Sequence, residues 1–133
     1  MHSNFLGGTL IVSLSGDAKE AQSVVEGRYL PHPLNNNNRG RDYWIQENGS
    51  NAIWYKGWTS NEVSDVWIIG NQDDWGRGTQ FAAIYSLNKF IPNPLLVSSW
   101  NYKASNGTWT TSENILVGPG NVDFDHVRTK LPL

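Results

Sequence analysis

The stretch DYWIQENGSNAIWY, residues 42–55, decides the fold. Two short runs rich in aromatic and β-branched residues, Asp42 to Gln46 and Ala52 to Tyr55, flank Glu47-Asn48-Gly49-Ser50. Side chains of this kind suit a pleated, half-buried surface. Asn-Gly between such runs is the strongest short-range hairpin signal, because a type I′ turn needs residues that accept positive φ. The stretch predicts an antiparallel hairpin, and the same arrangement of aromatic run and polar turn recurs on either side of it.

Toward the amino terminus, Thr9 to Ser15 is β-branched and partly alternating between Gly7-Gly8 and Gly16, and reads as a strand. Asp17 to Val25 is the one window for a helix: Asp17 can cap it, and Ala18, Ala21, Val24 and Val25 fall near helical spacing. Two helical turns and an irregular loop are both compatible with it. Gly27 to Leu30 is a short strand expected to be stopped by Pro31 and Pro33, since proline supplies no amide hydrogen to a ladder. Asn35 to Asn38 then forms a polar loop.

Toward the carboxyl terminus, strands are expected at Val66 to Gly70, Gln80 to Ser86, Ser99 to Tyr102 and Ile115 to Val117. Gly70 to Gly78, Pro92-Asn93-Pro94 and Asn106-Gly107 supply the bends between them. No unit of fixed period repeats. The pattern predicts an all-β fold, an antiparallel meander forming a small barrel or a two-layer sandwich, with at most one short helix. The segment from Asn121 to Leu133 reads as a tail or linker.

The 133 residues suffice for one domain with a sizeable core. Seven Trp and five Tyr in 133 residues point to a core built on rings, and Trp44, Trp54, Trp67 and Trp100 lie inside strand patterns, where they are expected to be core. The balance of 10 basic and 12 acidic residues leaves no phosphate-tracking surface, which argues against nucleic acid as a partner. No apolar run approaches the roughly 20 residues of a membrane span, and no secretory signal pattern opens the chain. Without cysteine there are no disulfides, zinc-thiolate sites or thiol nucleophiles.

In order, Leu14-Ser15-Gly16, Glu26-Gly27-Arg28-Tyr29, Gly40-Arg41-Asp42-Tyr43-Trp44, Ala52-Ile53-Trp54-Tyr55, Val66-Trp67-Ile68-Ile69, Ile84-Tyr85-Ser86, Pro94 and Trp100 resemble a known type of module. These are the Gly-x-Tyr/Trp-rich β modules, often in tandem, of large marine microbial, algal and phage tail-associated proteins. The resemblance spans about Gly8 to Val117. This chain departs from it in carrying Glu26-Gly27-Arg28 where members usually show Asn-Gly before the first Tyr. The resemblance implies a non-catalytic β-rich structural or adhesive building block at a cell or particle surface, and it supplies no functional residues to carry over.

The residues themselves offer three chemistries. Trp58, Trp75 and Trp109 sit in or beside polar turns, where a ring face can stack on a sugar while its polar tip stays wet. Trp75 is accompanied by Asn71, Asp73, Asp74 and Arg77, which makes the loop from Gly70 to Gly78 a candidate carbohydrate site. The same loop gathers oxygen ligands suited to calcium, but without EF-hand spacing, and a solvated turn is the better reading. A glycan-acting enzyme would draw two carboxylates from Glu47, Glu62, Asp73 and Asp74, yet Asp73 and Asp74 would face opposite ways in extended chain. His2, His32 and His126 are scattered, and no catalytic residues, metal site or cofactor is expected. The expected partner is a glycan or another protein surface.

Overall fold

A computed structural model describes residues 8–32, 43–57 and 64–120. Trp58, Glu62, His2, His126, the loop at Asn35 to Asn38 and the segment 121–133 lie outside the described residues.

The described residues form a nine-stranded antiparallel sheet: β1 (Leu10–Leu14), β2 (Gly27–His32), β3 (Tyr43–Gln46), β4 (Asn51–Lys56), β5 (Val66–Asn71), β6 (Ala82–Ser86), β7 (Trp100–Lys103), β8 (Trp109–Ser112) and β9 (Ile115–Pro119). Among the described residues there is one α-helix, α1 (Gly16–Gln22), which continues into a 3-10 turn over Ser23–Val25. From β1 to β8 each strand pairs with the next, and β9 returns to the free side of β1.

The closure of this sheet follows from strand direction. Because β8 is antiparallel to β7 and β9 is antiparallel to β1, alternation along the meander makes β8 and β9 run the same way. Only Glu113 and Asn114 join them. Side-by-side parallel strands need a crossover of about a dozen residues or more, so β9 continues the line of β8. One bent strand thus serves β7 with its first half and β1 with its second, and the sheet curls into a nearly closed barrel.

Alternation sends one set of side chains inward. Trp44, Ile53, Ile69, Ile84, Tyr102 and Thr110 are successive cross-strand partners in one transverse row. Ser86, Trp100 and Ser112 form part of the next. Trp44, Trp67 and Trp100 are fully buried, as expected. Trp67 meets Trp44 edge-on at 5.9 Å and Tyr55 at 5.3 Å, so rings fill the inside.

Each mouth has a cover. At one end, α1 buries Ala18 and the turn after it buries Val25. The Tyr29 hydroxyl donates to the Val25 carbonyl at 2.7 Å, and burial pushes this phenol far above its ordinary pKa, so it stays a donor. Gln46 Nε2 donates to the carbonyls of Val24 and Glu26, while Gln22 Nε2 reaches the Lys103 carbonyl at 2.7 Å. At the other end the β6–β7 connection places Ile91, Leu95 and Val97 on the core. There Trp67 Nε1 donates to the Ile91 carbonyl at 2.8 Å.

Three expectations need correction. The strand beginning at Gly27 does not stop at Pro31 but runs to His32. The Arg28 carbonyl faces β3, where it accepts from Glu47 N, so alternation turns the Pro31 nitrogen toward β1. Pairing with β1 has already ended at Tyr29, and no ladder bond is lost. Pro31→Ala should therefore change stability by no more than about 1 kcal/mol in urea unfolding.

The β3–β4 hairpin is present, but its connection spans residues 47–50 and only Asn48 of the Asn-Gly pair is left-handed, with φ 61°. It is not a two-residue type I′ turn. At Gly49 a Cβ would crowd the end of the Gln46 side chain, which would have to shift. Third, strand β8 is not among the expected strands; Trp109 opens it, beside the Asn106-Gly107 turn. Trp-Thr-Thr-Ser carries no apolar alternation, since its inward positions, Thr110 and Ser112, lie at the bent edge of the barrel and need no large apolar group.

Candidate functional site

The outside of the barrel carries a second apolar layer. His32, Tyr43, Trp54, Ile68, Tyr85, Asn101 and Thr111 follow one another from β2 to β8 in one outer row, in the register of the pairs Tyr43–His32, Ile68–Trp54, Tyr85–Ile68, Asn101–Tyr85 and Thr111–Asn101. Ala52, Trp54, Val66, Ile68 and Ala82 are buried there, with Tyr43, Ile45, Trp75, Tyr85 and Trp109 packed against them. An outer strand face this apolar requires a cover, and the β5–β6 connection supplies it.

That connection lies down because its track is small. Ala52, Gly70 and Ala82 are cross-strand neighbours, and a Cβ at Gly70 would stand 3.2 Å from Trp54 Cη2 and 3.0 Å from the Phe81 carbonyl. Trp54 Nε1 donates to the Arg77 carbonyl at 3.1 Å and Lys56 Nζ to the Gly76 carbonyl at 3.2 Å. Trp75 leans on Tyr43 with centroids 5.1 Å apart, and Tyr43 stacks on His32 at 5.2 Å.

The polar residues of this loop serve its own shape. Asn71 Oδ1 accepts from Asp73 N at 2.8 Å, capping the 3-10 turn Gln72–Asp74. Asp74 pairs with Arg77 at 3.5 Å, and the Arg77 guanidinium lies 4.4 Å above the Phe81 ring. Asp73 is exposed. Trp75 is half-buried with its Nε1 sealed and without a partner. Trp75→Ala should accordingly cost about 2 kcal/mol of stability, within the usual range for a packed residue. A loss below about 0.5 kcal/mol would instead leave the ring free for a ligand.

Trp109 has a different setting. It is half-buried on β8, edge-on to Tyr85 with centroids 4.8 Å apart, and Lys103 Nζ lies 5.6 Å from its ring centre. Beside it runs a hydrogen-bonded chain along the outer row. Thr111 Oγ1 donates to Asn101 Oδ1 at 2.9 Å, and Asn101 Nδ2 donates to the Tyr85 hydroxyl at 3.1 Å. Trp75 and Trp109 thus border the same outer layer, Trp75 packed against Tyr43 on β3 and Trp109 against Tyr85 on β6.

Tyr85, Asn101, Lys103 and Thr111 were not expected as site residues. They lie in four separate places along three strands, and only the register of β6, β7 and β8 makes them neighbours. Of the carboxylates considered for glycan chemistry, Glu47 pairs with Arg28 at 3.8 Å and Asp74 with Arg77. Among the described residues, no three His, Asp or Glu side chains are grouped to hold a metal ion. No family model, curated protein or solved structure matches the chain, so its own side chains carry the functional argument.

Proposed function

We propose that this barrel is a non-enzymatic module of a surface or particle-associated protein, and that its outer face around Trp109 takes carbohydrate. The observation behind this reading is the pairing of a half-exposed indole with the Thr111–Asn101–Tyr85 chain of hydroxyl and amide groups. Sugar recognition uses that combination: a ring face covers the apolar side of the pyranose while hydroxyls and amides pair with its polar edge. The ring-filled interior also supports a surface site, since binding inside would require rings to leave. The resemblance to tandem surface modules points the same way.

The test is a glycan array probed with the intact chain and with Trp109→Ala. Loss of the aromatic contact should weaken any bound glycan by about 2 kcal/mol, the scale of a central aromatic anchor, while the far-ultraviolet spectrum stays unchanged. A bound glycan indifferent to both Trp109→Ala and Asn101→Ala would remove the site from this face.

A further inference from the structure

The sequence holds two Asn-Gly pairs, Asn48-Gly49 between β3 and β4 and Asn106-Gly107 between β7 and β8. A glycine has no side chain to shield its backbone, so its amide nitrogen can reach the side-chain carbon of the preceding asparagine and close a five-membered ring. All four residues are exposed to solvent. Exposure does not separate the two pairs, but their hydrogen bonds do.

At Asn106 both reacting groups are held. Asn106 Oδ1 accepts from Thr108 N at 3.1 Å and from Thr108 Oγ1 at 2.7 Å, the turn that an asparagine side chain makes with the residue two places on. Gly107 N, the nucleophile, donates to the Ala104 carbonyl at 2.8 Å. Ring closure there has to break these bonds first.

Asn48 is set differently. Among the described residues no hydrogen bond engages its side chain. The turn is anchored by its neighbours instead: Gln46 Nε2 donates to the carbonyls of Val24 and Glu26, and Gln46 Oε1 accepts from Asn51 N and Asn51 Nδ2. The Asn48 amide is therefore free to turn toward Gly49 while the hairpin keeps its shape. Asn48 also has φ 61°, a left-handed conformation in which asparagine and aspartate are both enriched, so the same backbone accepts an aspartate.

We propose that Asn48 is a site of spontaneous deamidation in the folded protein, and that Asn106 is protected from it. Gly49 N loses its proton to solvent base and attacks Asn48 Cγ, the Cγ–Nδ2 bond breaks, and ammonia leaves. Water then opens the cyclic imide. Opening at Cγ gives aspartate, and opening at the backbone carbonyl gives isoaspartate, whose main chain runs through the former side chain. Either product carries one negative charge more than the formal −2 of the parent. The new carboxylate joins Glu26 and Glu47 around a cleft of about 480 Å³ that Asn48 lines with them, making that rim more acidic as the protein ages. The site is separate from the outer face around Trp109 and stands whether or not that face binds glycan.

The experiment is incubation of the full chain in mildly alkaline buffer, followed by tryptic digestion and fragmentation mass spectrometry. Asn48 falls in fragment 42–56 and Asn106 in fragment 104–128, so one sample reports both. In the folded protein Asn48 is expected to gain one mass unit at least about ten-fold faster than Asn106, the factor that corresponds to losing roughly one net hydrogen bond on the way to the ring. In urea the two should convert at comparable rates. Thr108→Ala, which removes one anchor of the Asn106 side chain, should speed conversion at Asn106 several-fold and leave Asn48 unchanged. The proposal is overturned if the folded protein converts both sites equally or Asn106 faster, or if Asn48 stays intact while the unfolded chain reacts. It is also overturned if the rates differ as much in urea, because the flanking sequence and not the fold would then set them.

Discussion

Trp67→Ala should cost the barrel about 3 to 5 kcal/mol, the range for truncating a large buried aromatic. Several losses add up at this position. The indole is fully buried near the start of β5, and its removal opens a cavity between Trp44 and Tyr55, whose edge-on contacts are lost with it. Such ring pairs contribute about 0.5 to 1.5 kcal/mol beyond simple burial. The Ile91 carbonyl loses its indole donor, and with it the β6–β7 connection loses one tie to the barrel mouth. Against the 5 to 15 kcal/mol typical of whole domains, this is a change that urea unfolding resolves easily. Trp67→Phe should lie well below Trp67→Ala, since a ring remains and the indole hydrogen bond is the main loss. A cost under about 1 kcal/mol for Trp67→Ala would contradict its place at the centre of the core.

The sequence shows the strands with large inward residues plainly and hides those without them. Val66-Trp67-Ile68-Ile69 reads as a strand at once because both of its faces are buried, one inside the barrel and one under the β5–β6 connection. β8 escapes notice because Thr110 and Ser112 face the interior where the sheet bends into β9, so no apolar alternation marks it. The helix window at Asp17 is legible from Ala18 and Ala21, and the structure makes it α1 with a 3-10 end. What cannot be read is which partner a turn-rich loop chooses. Nothing local in Asn71 to Gly78 says that its side chains bond to its own backbone and that its tryptophan lies down on Tyr43. The same holds for the Tyr85–Asn101–Thr111 chain, whose members are brought together only by pairing register.

The two faces of β4 and β5 explain why a meander of this length needs so many tryptophans. A barrel turns one face of each strand outward, and an outward face is normally polar. Here β4 and β5 are apolar on both sides, so the protein has one layer of rings inside and another outside, with the β5–β6 connection acting as a third layer over part of the sheet. Fixing this connection also fixes the edge of the outer face on which Tyr85 and Trp109 meet, because it leads directly into β6.

Trp54→Ala tests that outer layer. Although Trp54 points away from the barrel interior, it is as inaccessible as Trp67, and its truncation should cost a similar 3 to 5 kcal/mol. The accompanying signature should differ. Trp67 ties the interior together, so its loss lowers protection everywhere. Trp54 holds the β5–β6 connection through the Arg77 carbonyl and the track beside Gly70. Its loss should therefore speed hydrogen exchange first at Trp75 and Arg77, whose amides bond to the carbonyls of Gln72 and Asp74, and only later in β5. Because Trp54 and Trp75 pack in the same outer cluster, the double variant Trp54→Ala with Trp75→Ala should cost less than the sum of the two, by about 0.5 to 3 kcal/mol. Strict additivity, with unchanged exchange at Trp75, would mean that the connection holds its shape without Trp54 and that the outer layer is two independent contacts rather than one.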